Sequence, residues 1–211
     1  MQTDLIEEYI EHLVDEEPLL LKEMTREANV KLLRPRMMSG HLQGRLLKMF
    51  VRMCQPKYIL EVGTYTGYSA LSMAEALPLE GKIYTIDPDD EMENFARKYI
   101  NRSPDASKIN YIVGDALQEV PKLGVVFDMM FIDGDKREYQ LYYESFLSYL
   151  RKGGFMLFDN TLWSGKVLNP ELSCDRQTKS IDEFNHYLAK DPRIEKVIIP
   201  LRDGMTIVCK L

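Results

Sequence analysis

Five acidic residues recur where short apolar runs end. Glu61 lies in Tyr58–Val62, ahead of Gly63-Thr64-Tyr65-Thr66-Gly67. Asp87 closes Ile83–Ile86, and Asp115 follows Tyr111–Val113 through Gly114. Asp133 follows Phe127–Ile132, and the pair Asp159-Asn160 ends Phe155–Phe158. Between these runs lie Tyr68–Ala76, Glu91–Ile100 and Tyr139–Leu150, each long enough for a helix. The alternation predicts an α/β fold with a doubly wound, largely parallel sheet covered on both faces. Parallel strands share one carboxyl edge, where such folds bind ligands. Acids gathered there repel one another unless a cation or hydrogen-bond donors sit among them. A single Asp after a strand is a common helix cap, but capping alone does not account for the whole set.

The first loop narrows the ligand. Its Gly63-x-x-x-Gly67 spacing differs from the Gly-x-Gly-x-x-Gly of dinucleotide enzymes. Gly63 permits a tight turn with close backbone approach, and the helix that follows can face a carboxylate as well as a phosphate. Asp87, 20 residues beyond Gly67, suits a carboxylate accepting both ribose hydroxyls. An acid there excludes a 2′-phosphate and permits NAD or S-adenosylmethionine. Asp133, Asp159 and Asn160 offer two carboxylates and an amide carbonyl, all hard oxygens. They suit Mg²⁺, or Mn²⁺ or Ca²⁺, and do not suit structural zinc. Lys136 follows three residues after Asp133. Beside a divalent cation its ammonium would be disfavoured, in the direction a general base needs.

The rest of the chain must position these groups. It has 211 residues, 45% of them hydrophobic and 28% charged, with a net charge of −6, enough to bury one core. Residues 1–50 read as an N-terminal helical extension and residues 51–211 as the main domain, a single globular unit. Leu5, Tyr9, Leu13 and Val14 follow a helical period, as do Leu42, Leu46, Leu47, Phe50 and Val51. Residues 1–30 carry nine acids against Lys22 and Arg26, whereas residues 31–52 carry six bases and no acid. The basic run suits either a polyanion or charge pairing within or between subunits. Thr161–Thr178 shows little periodicity and is followed by a helix around Ile181–Leu188. Ile194–Ile199 and Met205–Val208 form a hairpin about Arg202-Asp203-Gly204. Cys54, Cys174 and Cys209 lack a Cys-x-x-Cys pair, which points to a reducing, cytoplasmic setting. No apolar run is long enough to span a bilayer, and the acidic start does not read as a signal peptide.

Several stretches together resemble the cation-dependent class I O-methyltransferases, the family of the caffeoyl-CoA and catechol O-methyltransferases. They are Leu60–Ser69, Tyr84–Asp87, Gly114–Leu117, Phe131–Lys136 and Phe158–Gly165, with the tail around Phe184–Glu195 and Pro200–Thr206. The likeness runs from about Gly40 to Leu211, while the N-terminal region is closer in style to bacterial than to plant members. It implies a Rossmann-like, seven-stranded sheet with the last strand antiparallel. It places Ser39, Glu61, Gly63, Tyr65 and Ser69 around the amino acid end of S-adenosylmethionine, with Asp87 on its ribose and Asp115 and Ala116 at its adenine. It makes Asp133, Asp159 and Asn160 the metal ligands, Asp133 touching the cofactor as well, and Lys136 the general base. It also implies a homodimer.

On this reading a cation chelates two vicinal oxygens of a catechol-like acceptor and lowers the pKa of the hydroxyl to be methylated. Trp163 can stack on a planar acceptor or anchor its loop. Arg176, with Lys179, can meet an anionic tail such as that of CoA or remain solvated. Some bacterial relatives in this family methylate 5-hydroxyuridine in tRNA, which makes RNA the rival acceptor, and the Lys31–Arg52 run is what favours it. An NAD-dependent dehydrogenase would need the other glycine spacing and has no use for Asp159-Asn160. A non-catalytic S-adenosylmethionine-binding module would need neither the metal ligands nor Lys136.

Overall fold

The computed structural model describes residues 2–169 and 175–211. Cys174 and the middle of the Lys166–Thr178 segment lie outside the described residues. The strands are β1 (Tyr58–Val62), β2 (Lys82–Asp87), β3 (Ile109–Val113), β4 (Phe127–Ile132), β5 (Leu150–Asp159), β6 (Ile194–Ile199) and β7 (Met205–Lys210). They form a seven-stranded sheet in the order β3-β2-β1-β4-β5-β7-β6. β1 to β5 pair in parallel, and β7 runs antiparallel to both β5 and β6. The strand order reverses between β1 and β4, which opens a crevice at their carboxyl ends.

Helices α1 (Gln2–Glu11), α2 (Leu19–Lys31) and α3 (His41–Cys54) precede the sheet. α4 (Tyr68–Ala74), α5 (Glu93–Ile100), α6 (Ala116–Leu123), α7 (Tyr139–Phe146) and α8 (Arg176–Lys190) cover its faces. Strand alternation divides the core in two. Ile59, Ile83, Met129, Phe131 and Leu157 join Leu21, Met24, Ala28, Leu47 and Val51 of the N-terminal helices on one face. Leu60, Ile86, Met130, Ile132 and Phe158 join the helical residues Val120, Tyr143 and Phe184 on the other. Glu61, Thr85, Asp87 and Asp159 share the parity of the first set, so the edge acids are turned toward the N-terminal helices.

β1, β4 and β6 have the bounds their apolar runs predict. β5 begins five residues before the expected Phe155, because polar Arg151 and Lys152 and two glycines hide the extended chain from hydropathy. The β4–β5 register shifts between Phe127 and Met129 to accommodate that start. The expected Tyr139–Leu150 helix ends as an α-helix at Phe146, and one 3₁₀ turn, Leu147–Tyr149, leads into β5. Helix α3 runs past residue 50 and packs closely on α4: a Cβ on Gly44 would lie 2.7 Å from Ser72 Oγ and 2.8 Å from Tyr68 Cε1.

The opposed charges of the N-terminal region are paired within the chain, largely with other partners than each other. Glu27 binds Lys31 at 2.9 Å and also Lys98, while Glu23 binds Arg102 on the loop after α5. Arg45 and Lys48 of the basic run both bind Glu75, each at 2.8 Å. Glu17 accepts from the Tyr68 hydroxyl at 2.5 Å. These contacts, with the shared apolar core, fix the N-terminal helices against the sheet.

The same sheet holds α8 through aromatic packing. The Phe184 ring meets Phe158 at 4.7 Å and Tyr139 at 5.6 Å in edge-on geometry and is fully buried. Phe184→Ala is expected to cost about 3–5 kcal/mol of stability, read as a lowered urea midpoint with an unchanged m-value.

Candidate active site

At the β1/β4 crevice the backbone leaves no room for side chains. Gly63 sits at φ +97°, and a Cβ there would lie 2.5 Å from the carbonyl oxygen of Asp133. The turn is held by Gly63 N–H donating to Ile86 O at 2.9 Å and Asp133 N–H to Val62 O at 2.8 Å. Met38, Ser39, Gly63, Tyr65, Ser69 and Asp133 line a narrow cleft in front of it. Beside it, Ser39, Gly40, His41, Gln43 and Arg202 line a wider cavity of about 480 Å³ including its open mouth.

Behind the cleft Glu61 is wholly buried. The Thr85 hydroxyl donates to its Oε2 at 2.5 Å, while Oε1 has no hydrogen-bond partner. Burial, and secondarily the charges of Asp133 and Asp87, push its carboxyl up to about 8, against the opposing help of the Ser69 and Thr85 hydroxyls. An orphaned buried carboxylate oxygen beside a glycine cradle fits a ligand that brings a positive charge, such as the ammonium of an amino acid. Asp87, half-buried at the end of β2, accepts from the backbone N–H of Tyr65 at 2.8 Å and of Asp89 at 3.0 Å. These bonds fix its carboxylate at the mouth.

Asp133 and Asp159 end adjacent strands, since Phe131 pairs with Leu157 and Ile132 with Phe158. Asp159 is 4% exposed, and its carboxyl is pushed up by burial first and by the charge of Asp133 second. The Tyr139 hydroxyl contacts the carbonyls of Ile132 and Asp159, at 3.1 and 2.8 Å, and so ties the two strand ends together. Lys136, buried at 7% exposure, places its ammonium 2.5 Å from Asp133 Oδ1. Asn160 follows at φ +56°, a left-handed conformation that Asn tolerates better than most residues. Among the described residues no three His, Cys, Asp or Glu side chains gather to hold a metal, so a site here depends on the Asn160 amide. Two carboxylates on adjacent strand ends, with a neutral oxygen donor next in sequence, fit a hard divalent cation.

Backbone strain is concentrated here. Of the non-glycine residues with positive φ, Tyr65 lines the cleft, Asn160, Trp163 and Ser164 follow β5, and Arg202 lies in the β6–β7 turn. That turn is stitched to the segment after β5 by Thr161 N–H to Gly204 O at 3.1 Å and Leu162 N–H to Asp203 O at 2.7 Å.

Not every residue singled out in the sequence joins this cluster. Asp115 caps α6, accepting from Leu117 N–H at 2.9 Å and the Gln118 amide at 3.2 Å, with Ala116 as the first helical residue. Trp163 donates its indole N–H to Asp175 Oδ2 at 3.1 Å, the anchoring geometry. Arg176 opens α8 as an exposed side chain. His41 is bonded to Asp15 O and His186 to Asp182 O. Gln43, Thr85, Tyr139 and Arg202 escape notice in the sequence. Thr85 leaves a trace, two residues before Asp87 and opposite Glu61 in the β1–β2 register, while Arg202 shows in the sequence only as part of the hairpin turn.

Because the folded state holds the Glu61 proton up to about 8 and the unfolded chain releases it near 4.5, the ligand-free protein should lose stability as pH rises through that window. Glu61→Gln should flatten the decline, a difference on the order of a few kcal/mol at its upper end. Urea unfolding from pH 5 to 8.5 measures it.

A profile described as O-methyltransferase matches residues 10–211. Tricin synthase 1 of Oryza sativa subsp. japonica is 36% identical over 189 residues, 83% of this chain and 75% of the rice protein. Caffeoyl-CoA O-methyltransferase of Petroselinum crispum is 33% identical over 220 residues, 98% of this chain and 91% of that protein. Among solved structures, the S-adenosylhomocysteine-bound Podospora anserina methyltransferase PaMTH1 superposes with a TM-score of 0.92 at 27% identity, covering 100% of this chain and 95% of that one. The O-methyltransferase TomG of Streptomyces achromogenes, in complex with S-adenosylmethionine, gives 0.89 at 27% identity over 97% and 95% of the two chains. The profile match and these relatives place the chain in this O-methyltransferase family, and it is an S-adenosylmethionine-dependent O-methyltransferase.

Proposed function

We propose that the enzyme requires a divalent cation, Mg²⁺ by preference, and methylates one hydroxyl of a small vicinal dihydroxy-aromatic acceptor. The observation that carries this reading is the meeting of Asp133 and Asp159 on adjacent strand ends, beside the cleft that Gly63 opens. The caffeoyl-CoA O-methyltransferases of Petroselinum crispum and Stellaria longipes, 33% and 35% identical, are named for a phenolic acceptor of this kind.

Each residue then has a physical task. Glu61 and Gly63 would receive the amino acid end of S-adenosylmethionine, with the Ser39 backbone, Tyr65 and Ser69 closing around it. Asp87 would accept its ribose hydroxyls, and Ala116, with Asp115, would border the adenine. Asp133, Asp159 and Asn160 would hold the cation. When bound, the cation supplies positive charge that makes an acceptor hydroxyl more acidic. Lys136, in its neutral form, would take that proton at Nζ, and burial keeps competing water from the nitrogen. The cavity lined by Gln43 and Arg202 is the space the acceptor ring would enter. Trp163 and Arg176 would contribute at its outer rim. Orientation is the larger share of the work, because displacement at a methyl carbon demands an in-line approach.

Asp159→Ala should abolish methyl transfer, by at least about a thousandfold, and leave S-adenosylhomocysteine affinity within about threefold. Calorimetry and transfer of labelled methyl from S-adenosylmethionine measure the two effects. A catechol panel and undermodified tRNA, each with and without EDTA, test acceptor and cation together. Labelling of tRNA alone would replace the small-molecule reading, and turnover indifferent to EDTA would remove the cation.

A further inference from the structure

Asp159 is held from outside the sheet. Gln43, on the first turns of α3 and 1% exposed, donates its amide N–H to Asp159 Oδ2 at 2.8 Å. The other end of that amide is also committed, since Gln43 Oε1 accepts from an Arg202 guanidinium N–H at 2.7 Å. The same Arg202 nitrogen donates to the backbone carbonyl of Ser39 and, at 3.3 Å, to that of Met38. A guanidinium has donors and no acceptor. It therefore dictates which end of the Gln43 amide faces Asp159: oxygen toward Arg202, N–H toward the carboxylate. Arg202 is itself fixed by its turn, at φ +49° and stitched through Asp203 and Gly204 to the segment after Asn160.

We infer that Gln43, oriented by Arg202, is a positioning residue that commits Asp159 Oδ2 to a hydrogen bond and presents Oδ1 as a single-oxygen metal ligand. This rests on the cation reading above and deepens it. Partners of this kind set the orientation and basicity of a ligating carboxylate. A carboxylate restricted to one oxygen occupies one coordination position and leaves more for the acceptor. The arrangement also joins the loop over the cofactor cleft to the metal corner through two side chains, Arg202 and Gln43.

The test is Mn²⁺ binding to the full-length protein, followed by the EPR signal of free ion with no acceptor present, so that affinity is read apart from turnover. Gln43→Leu should weaken Mn²⁺ about 10- to 100-fold while S-adenosylhomocysteine binding and cooperative melting persist. The Mg²⁺ concentration for half-maximal activity should rise in step, with kcat largely recovered at saturation. Arg202→Met frees the amide to turn and should weaken Mn²⁺ in the same direction, whereas Arg202→Lys, which keeps a donor, should restore it. The double variant Gln43→Leu with Arg202→Met should be no weaker than Gln43→Leu alone, as expected for residues acting as one unit. If Gln43→Leu does not fold, Gln43→Met and the Arg202 pair decide the matter. A folded Gln43 variant that binds Mn²⁺ within twofold of the parent overturns the inference, and additive losses in the double variant overturn the part given to Arg202. A parent protein that takes up no Mn²⁺ removes the cation reading, and this inference with it.

Discussion

Carboxylates crowded at one edge of a sheet are the constraint from which the rest of the site follows. Glu61, Asp87, Asp133 and Asp159 lie where parallel strands end, on the same side of the sheet. Burial, and secondarily the charge of Asp133, raise the proton affinity of Glu61 and Asp159. A protein that only needed to fold would have little use for such an arrangement, since each buried charge costs free energy unless compensated. The compensation present is partial: hydroxyls of Thr85 and Ser69 at Glu61, an amide at Asp159 and an ammonium at Asp133. What remains is a demand for positive charge, which a sulfonium amino acid and a divalent cation would both meet.

The N-terminal helices are part of this solution. They share the apolar core of the face toward which the acids turn, and ion pairs to Glu75 after α4, Lys98 of α5 and Arg102 beyond it hold them there. Ser39 and Met38 wall the cleft, and Gln43 reaches the carboxylate at the end of β5. Residues 38–43 therefore form a second wall of the site.

Strain marks the same region. Asn160, Trp163, Ser164 and Arg202 hold left-handed backbone angles in two segments tied to each other by main-chain hydrogen bonds. Such conformations persist only where the surroundings over-determine them. Here the tie between the β6–β7 turn and the chain after β5 fixes the direction in which the Asp159-Asn160 pair enters the crevice.

The sequence by itself determined the parallel sheet, the terminal hairpin, the glycine turn and the row of strand-end acids, because these depend on local periodicity and residue type. Alternation even sets the face on which Glu61, Asp87 and Asp159 lie, once the strand bounds are known. Cysteine spacing and net charge bounded the classes of chemistry without selecting one. Tertiary structure decided what spacing cannot encode. It turned Asp115 into a helix cap and Trp163 into an anchor, and paired the basic run with Glu75 and Glu27. It also brought Arg202 onto Gln43, 159 positions away, and Gln43 onto a carboxylate 116 positions from it. A hydrogen bond across such a separation leaves no periodic trace, since it exists only when two surfaces of the folded chain meet.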